Sequence, residues 1–305
     1  MEEPVIYDEN QIDDNRVVKD LIAGTCGGVA QVLSGQPFDT TKVRLQSAPE
    51  GRYSGAMDVV KQIIKNEGFK GFYKGTLTPL IGVGACVSIQ FSVNEYMKRM
   101  FGAQNVTLGL KDTRLSSWQF YQCGAAAGFA NGFLASPIEQ IRIRLQVQTA
   151  DNKLFNGPID CIKKMYGAGG IQGIYRGIMP TLVRESHGMG MYFLTFEALV
   201  KREMALKDCQ RKDIPGWKLC LFGAGAGYGM WTTAYPIDVI KSKMQTDSIF
   251  PAERKYKNSF DCAKQILRDQ GVKGFFRGFG PTMLRAAPVN ACTFYAFELA
   301  CRAMG

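Results

Sequence analysis

The chain has one histidine, His187, in 305 residues, and none of its nine cysteines are paired at the C-x-x-C spacing of metal sites. Scattered through apolar segments, the cysteines read as reduced, buried thiols, so neither metal nor cofactor is expected. A dinucleotide loop is missing too. Gly223-Ala-Gly225-Ala-Gly227-Tyr-Gly229 fits no G-x-G-x-x-G register and follows no strand, and the enzyme reading it would support falls. The opening MEEPVIYDENQIDD is acidic and lacks the arginine-rich, acid-poor character of a transit peptide. Charge is absent in long blocks, although charged residues make up 21% of the chain: residues 21–38, 75–94, 119–138 and 219–237 carry none. Uncharged runs of about 18 or more residues are candidate membrane-spanning helices. The stretches after Gly177 and Gly278 are similar but are interrupted by Arg184, Glu185 and Arg285.

What the chain does contain is repetition. Pro37-Phe-Asp39-Thr-Thr-Lys42-Val-Arg44-Leu-Gln46 recurs as Pro137-Ile-Glu139-Gln-Ile-Arg142-Ile-Arg144-Leu-Gln146 and as Pro236-Ile-Asp238-Val-Ile-Lys241-Ser-Lys243-Met-Gln245. Each copy is followed by a glycine-aromatic-base-glycine segment ending at Gly75, Gly177 and Gly278, then twenty residues on by Glu95, Glu197 and Glu298. Spacing held over a whole unit implies a shared backbone. The expected division is an acidic tail over 1–15 and repeats over 16–105, 113–205 and 213–305. Two helices per repeat make six spans, with both termini on one side.

Glycines at four-residue spacing in the first helix of each unit (Gly24 and Gly28; Gly124, Gly128 and Gly132; Gly223, Gly225, Gly227 and Gly229) let helix backbones approach closely in lipid. Each signature proline kinks its helix and swings the charged end inward. Charges at membrane depth face the bundle interior and pair, so three acids and three bases predict a ring of ion pairs closing one end. Residues 56–65, 158–166 and 258–268 are amphipathic and predict helices lying on the membrane surface.

With all three signatures in P-x-[DE]-x-x-[KR]-x-[KR] form over residues 16–305, the chain resembles the mitochondrial carrier family. Within it, Gln36 to Lys42, Gly75 to Gly82 and Pro281 to Pro288 look most like fungal carriers of the Ymc type, in the amino-acid and acylcarnitine branch. The resemblance implies an all-α fold of six transmembrane helices in threefold pseudo-symmetry, with three short matrix helices, in the inner mitochondrial membrane. The termini would face the intermembrane space and a monomer would function. It implies a matrix gate of Asp39 with Arg142, Glu139 with Lys241 and Asp238 with Lys42, braced by Gln46, Gln146 and Gln245. The glycine-aromatic-base-glycine segments match the family's cardiolipin motif, although the expected acid is replaced by Gly169 and Gln270 in the second and third copies. A cytoplasmic gate would use Glu95 with Lys98, Glu197 and Glu298. Only the first copy has its base in register, Lys201 and Arg302 being one residue out, which predicts a weak gate on that side.

Gates repeat, whereas a lopsided substrate is read where the repeats disagree. Seven residues after Gly75, Gly177 and Gly278, about 10 Å along a helix, stand Gly82, Arg184 and Arg285; one further on stand Val83, Glu185 and Ala286. Two unrepeated arginines and a carboxylate at membrane depth are costly unless they bind something. Glu185 would take an ammonium group, Arg285 or Arg184 a carboxylate, and Gly82 would leave room for a side chain. Mutual neutralisation of Arg184 and Glu185 is the plainer alternative. Trp231 would wall the cavity and contact an ammonium, or simply pack. His187 would couple a proton or simply line the cavity. The expected activity is alternating-access transport of an amino-acid-like zwitterion of the glutamate, glycine, basic amino acid or carnitine class. The alternatives are a carboxylate or nucleotide carrier and a non-transporting scaffold. The net charge of +10 is read as basic residues beside the spans meeting lipid headgroups, not nucleic acid.

Overall fold

The computed structural model describes residues 14–49, 51–109, 115–149 and 153–303, so the acidic tail lies almost wholly outside it. Its helices are α1 (Asp14–Ser47), α2 (Ala56–Glu67), α3 (Leu77–Thr107), α4 (Ser117–Val147), α5 (Pro158–Ile174), α6 (Ile178–Lys207), α7 (Gly216–Thr246), α8 (Ser259–Gln270) and α9 (Phe279–Ala303). Three times, a long helix holding the signature is followed by a shorter helix and a second long helix. The six long helices have 25 to 34 residues, about 37–51 Å at 1.5 Å per residue, enough to cross a hydrocarbon layer of about 30 Å. By hydropathy alone, only the stretch Phe69–Thr107 qualifies as a span among the described residues, at a mean of 1.5. The others are diluted by glycine and by the charges they carry inward.

The distribution of side chains is the reverse of a soluble protein's. Ile81, Phe91, Met179, Leu221 and Leu284 lie exposed on the long helices, while Lys42, Arg184, Glu185, Asp238 and Lys241 are buried. Such a molecule is soluble only in lipid, where apolar groups face outward and ionisable ones face the interior.

Local sequence sets the joints. Ser116 and Gln119 form a reciprocal capping box that starts α4. Gly75, Gly177 and Gly278 stand one or two residues ahead of α3, α6 and α9 at φ of +80°, +81° and +85°, a left-handed backbone that favours glycine. The short helices bury one apolar stripe each against the end of the signature helix. Val59 and Ile63 meet Leu45, Cys161 and Met165 meet Ile141 and Leu145, and Cys262 and Ile266 meet Val239 and Met244. Each repeat thus builds its own small core at one end of the bundle, called here the lower end.

The long helices form a ring in the order α1, α3, α4, α6, α7, α9 and back to α1. Packing is closest for α4 with α6, α6 with α7, α3 with α4 and α1 with α9; α1 with α3 and α7 with α9 touch sparsely. The glycine stripe of α4 explains the first of these. A Cβ on Gly124 would lie 2.5 Å from the Met189 carbonyl oxygen, one on Gly128 would fall on the Glu185 carbonyl, and one on Gly132 would meet Leu182. Gly24 and Gly227 face open space instead, so small residues at similar spacing serve contact in one repeat and not at every position in the others.

Candidate functional site

The ring encloses a cavity of about 290 Å³. Its floor is the expected triangle of ion pairs. Asp39 meets Arg142 at 2.7 Å, Lys42 meets Asp238 at 2.6 Å, and Lys241 pairs with Glu139. Each pair ties two signature helices together: α1 to α4, α1 to α7 and α4 to α7. Every arm stands two or five residues past a signature proline that lies inside its helix.

Two arginines from the second helices join this triangle. Arg285 reaches Asp39 Oδ1 at 3.3 Å, and Arg184 donates to Glu139 Oε1 at 3.1 Å while also pairing with Glu185. Arg184 and Glu185 are 6% and 7% exposed. The described lining therefore sets five bases (Lys42, Arg142, Arg184, Lys241, Arg285) against four acids (Asp39, Glu139, Glu185, Asp238), one net positive charge. Asp238 has no arginine of this kind: Gly82 occupies that register in the first repeat.

Several sequence expectations change in detail. The three signature glutamines do not brace the pairs. Gln46 donates to the Tyr235 hydroxyl, Gln146 to Thr40 and Gln245 to Thr181, and their Oε1 atoms are buried without partners. Each sits one turn past its base or beyond, below the triangle and against the neighbouring repeat. The amide that does reach a pair is Gln36, which accepts from Arg142 at 2.7 Å. The space beside Gly82 is not left for a substrate side chain: Ile138 Cδ1 fills it, 2.5 Å from where a Cβ would stand. Val83 packs on Gly28. Trp231 does wall the cavity, but the ammonium above its ring is that of Lys42, 4.5 Å from the centroid. Glu185 is engaged by Arg184, so the mutual neutralisation weighed above is the arrangement present. His187 faces Tyr121, whose hydroxyl lies 3.1 Å from Nδ1, between α4 and α6 and off the cavity lining.

At the upper end the expected second set of acids is not bridged across the second helices. Glu95 pairs with Lys98 on its own helix at 2.8 Å and is exposed. Glu197 is buried and bonds Arg211, in the turn leading to α7, through both oxygens. The side chain of Glu298 lies outside the described residues. Lys201, out of register for the gate, donates instead to the Leu115 carbonyl and to Ser117. Among the described residues no ion pair joins α3, α6 and α9 to one another.

At the lower end, the acid of the first glycine motif makes a separate latch. Arg44 holds both oxygens of Glu67 at 2.6 and 2.9 Å and donates to the carbonyls of Gln146 and Gln148, while Lys74 meets Glu67 at 2.6 Å. Burial pushes the Glu67 carboxyl up, but Arg44 and Lys74 outweigh it and hold the group below the usual carboxylate range. In the second repeat, where Gly169 replaces this acid, Arg176 turns to Asp247 at 2.5 Å. The two latches seal successive seams with different residues. Asn131 was not singled out from the sequence, and Gln36 only as part of the Gln36 to Lys42 motif, not as a partner of the gate; an amide inside an uncharged run is the signal that marks Asn131.

A family model described as "Mitochondrial carrier protein" matches the chain three times, over residues 13–105, 113–204 and 212–305. The chain is 54% identical over 299 residues to the mitochondrial glycine transporter YMC1 of Saccharomyces cerevisiae, a match covering 97% of this chain and 94% of that protein. It is 54% identical over 283 residues to the glutamate/glycine mitochondrial carrier ymc1 of Schizosaccharomyces pombe, covering 92% of each. Carrier protein YMC2 of Saccharomyces cerevisiae is 51% identical over 311 residues, covering 98% of this chain and 92% of that protein.

Proposed function

Because the chain belongs to the mitochondrial carrier family, multi-pass transporters of the inner mitochondrial membrane and not enzymes, we propose that it moves a small amino acid, glycine or glutamate, by alternating access. The observation that carries the substrate class is the unrepeated set Arg184, Glu185 and Arg285 lining the cavity. A cavity of about 290 Å³ falls just below the roughly 300–1,000 Å³ typical of ligand pockets, which suits a small solute over a nucleotide. The substrates printed in the names of the two relatives at 54% identity agree.

In this reading the triangle of ion pairs is the matrix gate, shut, and the unbridged upper end is the cytoplasmic side, open. The substrate carboxylate takes Arg285, and its ammonium approaches Glu185. Single positive charge in the lining favours a ligand with at least one carboxylate. Both termini leave by the intermembrane-space side, since six spans return the chain to the face where it began. The glycine-aromatic-base-glycine segments ending at Gly75, Gly177 and Gly278 take cardiolipin headgroups, Lys74 and Arg176 within them being held by Glu67 and Asp247. A monomer suffices because one chain encloses the whole cavity.

Uptake of labelled glycine and glutamate into liposomes holding the purified protein tests this, beside carnitine, lysine, dicarboxylates and nucleotides. Uptake of glycine or glutamate with loss in Arg285→Gln is the expected outcome. Transport of nucleotides or dicarboxylates alone would overturn the reading.

A further inference from the structure

Asn131 is 3% exposed, lines the cavity, and its Oδ1 is buried with no hydrogen-bond partner. A buried acceptor left unpaired costs about 1–3 kcal/mol; the signature glutamines carry such oxygens too, but their amides are held by hydroxyls in the seam, whereas among the described residues no side-chain hydrogen bond holds Asn131. The level of that acceptor is set by the glycine stripe. Gly128 abuts Glu185 and Gly132 abuts Leu182, so Asn131, between them on α4, stands level with the turn of α6 that carries Arg184 and Glu185. It also sits on the cavity face, since Asn131, Ala135, Ile138 and Arg142 all line it at helical spacing.

The three repeats disagree at this register. Counting six residues back from each signature proline gives Gln31, Asn131 and Met230. A gate residue would recur there. The chemistry nearby is also incomplete: an ammonium group offers three N–H donors, and the carboxylate meant for it, Glu185, already has one oxygen engaged by Arg184. A neutral acceptor next to it adds hydrogen bonding without adding charge.

We propose that Asn131 is a substrate-recognition residue that counts N–H donors: its Oδ1 accepts from the amino group of the carried amino acid beside Glu185, and so rejects amines with no N–H to give. This rests on the amino-acid reading above.

The test compares glycine with trimethylglycine, which keeps the carboxylate and positive charge but has no N–H. Uptake of labelled glycine and competition by trimethylglycine are measured in liposomes holding the full chain, for the wild type, Asn131→Leu, Asn131→Ala and Asn131→Asp. In both apolar variants the KM for glycine rises about tenfold, as expected for one lost hydrogen bond to a charged group. The Ki of trimethylglycine stays within about twofold, so discrimination collapses, while Asn131→Asp, which keeps an acceptor, retains it. Equal weakening toward both amines, or no change in either, overturns the proposal by giving Asn131 a packing role only. Absence of amino-acid uptake by the wild type is a different result: it removes the transport reading itself, and the proposal with it. Leu and Ala differ in volume, so a folding defect in one leaves the other to decide.

Discussion

Gly124→Ala and Gly227→Ala are predicted to shift stability in opposite directions although both add one methyl to a helix glycine. The Cβ of the first would lie 2.5 Å from the Met189 carbonyl oxygen and 2.7 Å from Phe193 Cδ2. Ordinary contact lies at about 3.5 Å, so α4 and α6 must separate by about 1 Å. Overpacking costs about 1–3 kcal/mol, and because the obstacle includes backbone the upper figure applies. Alanine returns about 0.5–1 kcal/mol through helix preference, leaving a loss near 2 kcal/mol. At Gly227 nothing stands within 4 Å, and only the gain remains. With an unfolding entropy of about 2.1 cal/mol/K per residue, the Gly124 variant melts roughly 3 °C lower and the Gly227 variant slightly higher. Intrinsic tryptophan fluorescence of the detergent-solubilised protein on heating gives both midpoints. If the two variants move together, or Gly124→Ala does not move, the close approach of α4 and α6 is not what the glycines provide.

Trp231→Ala removes the face beneath Lys42, worth about 0.5–2 kcal/mol; the melting midpoint falls while the substrate KM holds, and a change in KM alone would place the ring against substrate instead. Glu67→Gln leaves Arg44 buried with carbonyl partners only and costs about 3 kcal/mol at neutral pH. Because the folded carboxyl is held below its unfolded value of about 4.3, this stabilisation is complete above that value and disappears as pH falls through the folded one, so midpoints of wild type and variant measured down the acid limb converge. Burial pushes the Cys161 thiol to about 11 and the Cys262 thiol to about 12; both should resist maleimide at pH 8 in the folded protein and label once it is denatured, and mass spectrometry of the two peptides reads the outcome.

The architecture was legible because it is written three times: a contact repeated at the same register, such as Lys42 with Asp238, leaves a periodic trace. Positions where the repeats disagree were also legible, and Arg184, Glu185 and Arg285 do come together in one cavity. What they touch was not. Arg285 with Asp39 and Arg184 with Glu139 join residues far apart in sequence through single side chains, with no period to betray them. Ile138 filling the place beside Gly82 is a matter of volume and rotamer, invisible in spacing. The glutamines misled because a polar residue one turn beyond a charged one can serve either the pair or the seam below it, and here Tyr235, Thr40 and Thr181 supply hydroxyls in the seam.

The first helix has its broadest partner in the last. Between α1 and α9 runs most of the chain, and α1 touches its sequence neighbour α3 only sparsely. Asp39 and Lys42 on α1 therefore meet Arg142, Asp238 and Arg285 only when later helices have joined the ring. Such long-range closure is slow to form and exposes polar surface meanwhile. A chain stopped before Phe279 leaves one flank of α1 bare, so truncation near the C terminus should be as damaging to assembly as loss of the N-terminal helix.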